Sequence, residues 1–162
     1  MRVVFVRHGI AEDSSDRGDE FRRLTPEGRD KTRAAMRGLR ELDVRPDRIF
    51  TSPLLRARET AEIAEDLLGG EVEELDCLKP GGNFPKFLET LEHLDAAEVL
   101  AVGHMPDIAE FAQRCLTGRV TFAMTFKKAA AMCVEFDGEP AAGRGRLEWL
   151  LQPSMLRALG KT

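Results

Sequence analysis

Cysteine is scarce in this chain, with Cys77, Cys115 and Cys133 widely spaced over 162 residues. An odd, scattered set excludes a disulfide framework and lacks the ligand spacing of a zinc site. Cys115 and Cys133 fall in apolar patterns, as buried thiols do, and such usage fits a reducing cytoplasm. Long apolar runs are lacking too. The N-terminal one, Val3 to Val6, is too short for a signal-peptide core or a membrane span. Positive charge is not in excess: the net charge is −4 and the pI about 5.5. That leaves no electrostatic footprint for nucleic acid or an anionic membrane, although a locally basic cleft stays compatible with it. No internal repeat or low-complexity linker breaks the chain.

What is present is ordinary for a soluble globular protein. Hydrophobic residues make up 43% and charged residues 32%, enough apolar material for one sizeable core in one domain over residues 1–162.

The order of elements is strand and helix in alternation. Val3 to Val6 is a continuous β-branched and aromatic run, the pattern of a strand buried on both faces. An acidic loop follows, Glu12 to Glu20. Thr25-Pro26 opens a helix, since Thr is a good N-cap and Pro suits the first helical position. Its apolar stripe is Thr32, Ala35, Met36 and Leu39. Arg48 to Thr51 is a second strand. Ser52-Pro53 repeats the cap signature ahead of a helix with Ala57, Ala61, Ala64 and Leu68 on one side, stopped by Gly69-Gly70. A short strand at Val72 to Leu75 and the loop Lys79 to Pro85 lead to a helix near Phe87, Leu88 and Leu91. Val99 to Val102 is a third clear core strand, broken by Gly103-His104. Pro106 starts a helix with Ile108, Phe111, Ala112 and Cys115 on one face. Two strands, Ala129 to Phe136 and Arg146 to Leu151, form a final hairpin, and a helix at Ser154 to Leu159 ends the chain. This order predicts an α/β fold with a mostly parallel central sheet and an antiparallel C-terminal hairpin.

Sites in open α/β sheets form at the carboxyl ends of strands. Three such ends carry unusual residues here. The first ends in Arg7-His8, the second runs through Ser52 into a helix whose first turn holds Arg56, and the third ends in Gly103-His104. The remaining histidine, His93, lies in a polar helical segment and reads as a surface residue. Arg56 is telling, because a cation in the first turn opposes the helix dipole at a cost of roughly 0.3–1 kcal/mol. The position makes sense if a phosphate also binds at that helix end. Arg7, Arg56 and His104 would then surround a phosphoryl group, a phosphate or sulfate ion being the simplest occupant, and stabilise its charge without a metal. Their repulsion would lower the pKa of His8 and leave a neutral, nucleophilic imidazole.

The segments "VRHG", "LTPEGRDKTRAAMRGL", "IFTSPLLRARETAEIAEDL" and "VLAVGHMPDIAEF" resemble the histidine phosphatase superfamily, the phosphoglycerate mutase-like fold. The short length, the loop "LKPGGNFP", the segment "TFKKAAAMCVEF" and the ending "LEWLLQPSMLRAL" are similar to the SixA-type protein-phosphohistidine phosphatases. The resemblance implies a three-layer α/β/α sandwich and no metal or organic cofactor. It implies His8 as the phosphorylated nucleophile, with Arg7, Arg56 and His104 as phosphate ligands, and a phosphohistidine-carrying protein as the partner. The chain departs from the larger members in one respect. Their glutamate proton donor lies in an insertion after the second helix, and nothing around Glu71 to Glu74 resembles it. Similarity in the segment before "LTPEG" favours Asp19 as the donor, with Arg22 as a neighbouring phosphate or substrate contact.

Each residue also has a plainer reading. Arg56 could pair with Glu59 or Glu62, His104 could bond to backbone, the Glu12 to Glu20 loop could simply be solvated, and Gly81-Gly82 reads as a turn. Order and spacing together favour the functional reading. The rival functions are a small-molecule phosphomonoesterase, acting on a sugar or nucleotide phosphate, and a catalytically weak phosphate-binding module.

Overall fold

Strand β1 (Arg2–Arg7) forms where the sequence expects it, and Val3, Phe5, Val4 and Val6 are fully buried. The structure, a computed structural model, describes residues 1–161. Five further strands follow: β2 (Arg48–Thr51), β3 (Glu71–Glu74), β4 (Glu98–Gly103), β5 (Ala131–Glu135) and β6 (Arg146–Leu151). They form one sheet in the order β3-β2-β4-β1-β5-β6. The β3-β2-β4-β1 half is parallel, and β5 runs antiparallel to both β1 and β6.

Helices cover both faces, as the alternating order requires. Helices α1 (Pro26–Glu41), α2 (Leu55–Leu68) and α5 (Pro153–Leu159) enclose one core, where Met36, Leu39, Ala61 and Leu156 meet Val4, Ile49 and Leu100. Helices α3 (Phe84–Glu92) and α4 (Asp107–Thr117) enclose the other, where Phe87, Leu91, Ile108 and Phe111 meet Phe5, Phe50 and Ala101. Alternate residues of β1 thus serve opposite cores, the two-fold alternation of a strand read against two layers of helix. Each large apolar side chain so buried contributes about 1.5–3 kcal/mol. The three-layer sandwich and the antiparallel hairpin stand as expected. The cysteines are buried and unpaired.

Cap signatures met two fates. At α1, the Thr25 hydroxyl accepts from Gly28 N at 2.9 Å, with Pro26 in the first turn. At α2 the helix begins two residues beyond Pro53, with Leu54 at the N-cap and no side-chain cap. Ser52 stays in the sheet ladder, its N–H donating to Val102 O at 3.1 Å, and its hydroxyl accepts from Leu54 N at 3.2 Å, a turn just ahead of the helix.

Gly81-Gly82 is a turn. Gly81 has φ of 82°, and the two amides donate to the Asp107 carboxylate at 3.0 and 3.1 Å.

Candidate active site

The carboxyl ends of β1, β2 and β4 lie side by side because the ladder continues past each strand. His8 N donates to Gly103 O at 3.0 Å, just as Ser52 N donates to Val102 O. His8 and His104 therefore face each other, with ring centroids 5.1 Å apart. Both are buried, at 6% and 3% exposure, and Arg56 is only 4% exposed.

His8 Nδ1 is 2.7 Å from the carbonyl of Gly9. A carbonyl can only accept, so this contact places the proton on Nδ1 and leaves the Nε2 lone pair uncommitted. Burial, opposed by the Gly9 hydrogen bond, pulls the pKa down to about 3, with His104, Arg56 and Arg7 adding repulsion. The imidazole is neutral throughout the ordinary pH range. The surrounding loop is rigidly tied: Gly9 N donates to Thr60 Oγ1 at 3.0 Å, and Thr60 donates to Arg56 O at 2.7 Å. A Cβ on Gly9 would lie 2.2 Å from Thr32 Oγ1, so the loop packs on α1 with no room for a methyl group.

His104 Nε2 is 2.8 Å from Ser52 Oγ. Burial, then Arg56, lowers its pKa to about 4, with Asp19 opposing. Arg7 reaches back through Nη1 to the carbonyl of Phe126 at 3.0 Å. Among the described residues four buried side-chain nitrogens have no partner: Arg48 Nε, at the start of β2 and away from the site, and Arg7 Nε, Arg56 Nε and His104 Nδ1. Buried donors are rarely left unmatched, and the last three belong to the residues expected to hold phosphate.

Asp19, on a single 3-10 turn (Asp19–Phe21) above the site, is the counter-charge. Its carbonyl accepts from Arg56 Nη1 at 3.0 Å, and its carboxylate contacts Arg56 Nη2 at 3.2 Å and Arg22 Nε at 2.8 Å. Desolvation would raise its carboxyl, but Arg56 and Arg22 outweigh that and hold it below the usual carboxylate range. Arg22 also donates to Glu12 O at 2.8 Å, which steadies the rim. Glu59 does not pair with Arg56. Its carboxylate accepts from Leu24 N at 2.7 Å and from Arg29, pinning the rim loop to α2. His93 is an exposed surface residue, Nδ1 lying 2.9 Å from Glu89 O.

The structure thus brings together all six residues singled out in the sequence. It adds Ser52, Thr60 and the carbonyl of Phe126. Ser52 was visible only as a helix-cap signature, and nothing in the sequence marks the other two. No group of side chains among the described residues has the makings of a metal site, and no helix is long and apolar enough to cross a membrane.

Paired imidazoles and guanidiniums at the carboxyl edge of a half-parallel sheet are groups able to hold a tetrahedral oxyanion. Comparison with known proteins agrees. Residues 3–80 match the model of the histidine phosphatase superfamily, branch 1. An uncharacterised protein of Picosynechococcus is 39% identical over 134 residues, covering 80% of this chain and 81% of its own length. The phosphohistidine phosphatase SixA of Escherichia coli is 28% identical over 163 residues, 97% of each chain. A solved structure of the protein histidine phosphatase SixA complexed with tungstate superposes with a TM-score of 0.84 at 29% identity, covering 96% of this chain and 99% of that one. The chain belongs to the histidine phosphatase superfamily, and its fold is that of SixA. Membership implies a phosphatase, a hydrolase of phosphoryl groups.

Proposed function

We propose that the protein removes phosphate from phosphohistidine on a protein substrate, through a covalent intermediate on His8. The observation that carries this reading is the set of unpartnered buried nitrogens on Arg7, Arg56 and His104, gathered around a histidine whose Nε2 lone pair is uncommitted. In the first step His8 Nε2 attacks phosphorus, the P–N bond of the substrate breaks, and its electron pair stays on the departing imidazole, which leaves neutral because its other ring nitrogen took up a proton from water before the step. In the second, water attacks phosphorus and the P–Nε2 bond breaks. Nε2 regains its lone pair and phosphate is released. Arg7, Arg56 and His104 stabilise the equatorial oxygens in both steps.

The phosphohistidine assignment rests on the acid. The carboxylate facing Arg56 and His104 is Asp19, and ion pairing holds it anionic. An imidazole leaving group, with a conjugate-acid pKa of about 6.5, needs far less protonation by the enzyme than an alkoxide does. α2 gives way to β3 after only Gly69 and Gly70, so the insertion that carries a proton donor in larger members of the superfamily has no counterpart here. Likeness to SixA supports the same reading.

The test is a side-by-side assay of a phosphohistidine peptide against sugar phosphates, nucleoside monophosphates and aryl phosphates. Preference for the peptide by a wide margin is expected. Efficient turnover of a sugar phosphate with no action on phosphohistidine would establish the small-molecule reading instead.

A further inference from the structure

Beside the phosphoryl site, and sharing Arg7 with it, is a second cavity of about 320 Å³. Five of its lining residues are cations: Arg7, Lys31, Lys127, Lys128 and Arg157. None is an acid. In a protein with 28 acidic and 24 basic residues, that is a local reversal of sign. Most cations elsewhere find a carboxylate, as do Arg2, Arg22, Arg29, Arg33, Arg48 and Arg146. Lys31 pairs with Glu27 at 2.5 Å. For Lys127, Lys128 and Arg157, no carboxylate lies within ion-pairing distance among the described residues. Lys128 is half-buried, and burial lowers its pKa, followed by repulsion from Arg7 and Arg22, with only Asp13 opposing. Its ammonium therefore senses the same charges as the phosphoryl site.

The walls between the charges are apolar: Ile10, Ala129 and Pro153. Lysine and arginine stems can extend such a surface while their charged heads stay solvated. Such a cavity suits a short alkyl stem ending in an anion. Its volume lies at the bottom of the range for small-molecule sites, room for one side chain.

We propose that this basic cavity receives an Asp or Glu side chain of the partner protein, next to the phosphorylated histidine, and so selects phosphohistidines set in acidic surfaces. The proposal rests on the phosphohistidine reading given above. Two anions from one partner surface, the phosphoryl group and the carboxylate, would engage opposite sides of Arg7. Complementarity of this kind at a rim acts through encounter and KM more than through the chemical step.

The test uses synthetic helical phosphohistidine peptides with Glu, Gln or Lys at the positions three and four residues from the phosphohistidine, with free phosphohistidine as the control. Wild type should favour the Glu peptide over the Gln peptide by about fivefold in kcat/KM, carried by KM, as befits exposed pairs. Raising the salt to about 0.5 M should compress that preference. Lys127→Glu combined with Arg157→Glu should abolish it, improve the Lys peptide, and leave free phosphohistidine turnover unchanged. Lys127→Glu alone, at an exposed side chain, should move the preference in the same direction and guards against disturbance of α5. Equal rates on Glu and Gln peptides in wild type, or a preference untouched in both variants, would overturn the proposal while leaving phosphohistidine hydrolysis standing. Failure on every phosphohistidine substrate would remove the parent reading and this one with it. A variant defect confined to a bisphosphorylated small molecule would assign the cavity to a second phosphate and overturn it too.

Discussion

The Asp19 carboxylate lies 3.2 Å from Nη2 of Arg56 and accepts from a guanidinium that is itself almost wholly buried. An internal anion thus occupies donors that an incoming phosphate also needs. Replacing Asp19 with Asn removes the negative charge while keeping the shape, so inorganic phosphate should inhibit the variant more strongly, by about three- to tenfold, in line with charge-assisted hydrogen bonds. If Asp19 also serves as the proton donor, Asp19→Asn should depress ester hydrolysis by about 10²–10⁴-fold, more for poor leaving groups than for good ones, and spare phosphohistidine. Initial rates across a leaving-group series, with a phosphate inhibition constant for each protein, separate the two roles. An unchanged inhibition constant would mean that phosphate does not compete for Arg56.

Removal of the proposed nucleophile gives the sharpest outcome. His8→Ala should abolish turnover and the acid-labile phosphoenzyme trapped in a rapid quench. The fold should persist, because residue 8 lies beyond the last residue of β1 and its ring serves neither hydrophobic core. Phosphoenzyme at wild-type levels in this variant would place the covalent step elsewhere.

Acid should destabilise the protein before its carboxylates titrate. His8 and His104 are held neutral in the folded state, with pKa values of about 3 and about 4 against 6.5 for an ordinary histidine. Between those values and 6.5 the unfolded chain binds imidazole protons that the folded chain excludes. Stability therefore rises with pH across this window and is lost on acidification, at about 1.4 kcal/mol per pH unit for each such group. Urea midpoints measured from pH 6.5 down to pH 4.5 should fall, and the slope should flatten in a His8→Ala, His104→Ala double variant. A flat wild-type profile would contradict the burial of the two neutral rings.

Chelation is expected to leave the activity intact. Arg7 and Arg56 would supply the positive charge that magnesium provides in many phosphoryl-transfer enzymes, and two guanidiniums beside the same oxyanion would repel a dication. Assays in millimolar EDTA should match untreated enzyme. A loss restored by a divalent ion would redraw the site.

Much of this was legible in the sequence because strand ends in α/β proteins are marked by an abrupt change of residue type. Val3 to Val6 running into Arg7-His8 and Val99 to Val102 running into Gly103-His104 each announced a core strand and a polar terminus. Thr25-Pro26 announced a helix start that the structure keeps. The same signature at Ser52-Pro53 misplaced the helix start by two residues, because the Ser52 hydroxyl accepts from Leu54 N and closes a turn ahead of the helix while also lying against His104, a residue 52 positions away in sequence. Contacts of that span leave no local pattern. Thr60, joined to Gly9 across 51 residues, and the Phe126 carbonyl, joined to Arg7 across 119, were invisible for the same reason. The partner of Arg56 was obscured by a nearer choice. Glu59 stands at helical spacing from it, yet that carboxylate is already committed to the backbone of Leu24 and to Arg29.

The backbone bond from His8 N to Gly103 O has an evolutionary corollary. It makes the gap between the two facing imidazoles a property of strand register, insulated from whatever happens at the rim. Rim segments such as Asp13 to Arg17 or Arg119 to Met124, which carry none of the groups bonded to Arg7, His8, Arg56 or His104, can be lengthened, recharged or exchanged without moving either ring. A lineage built on this frame can therefore change clients while its chemistry stays constant, and divergence between relatives should collect in those loops and thin out at the three strand termini.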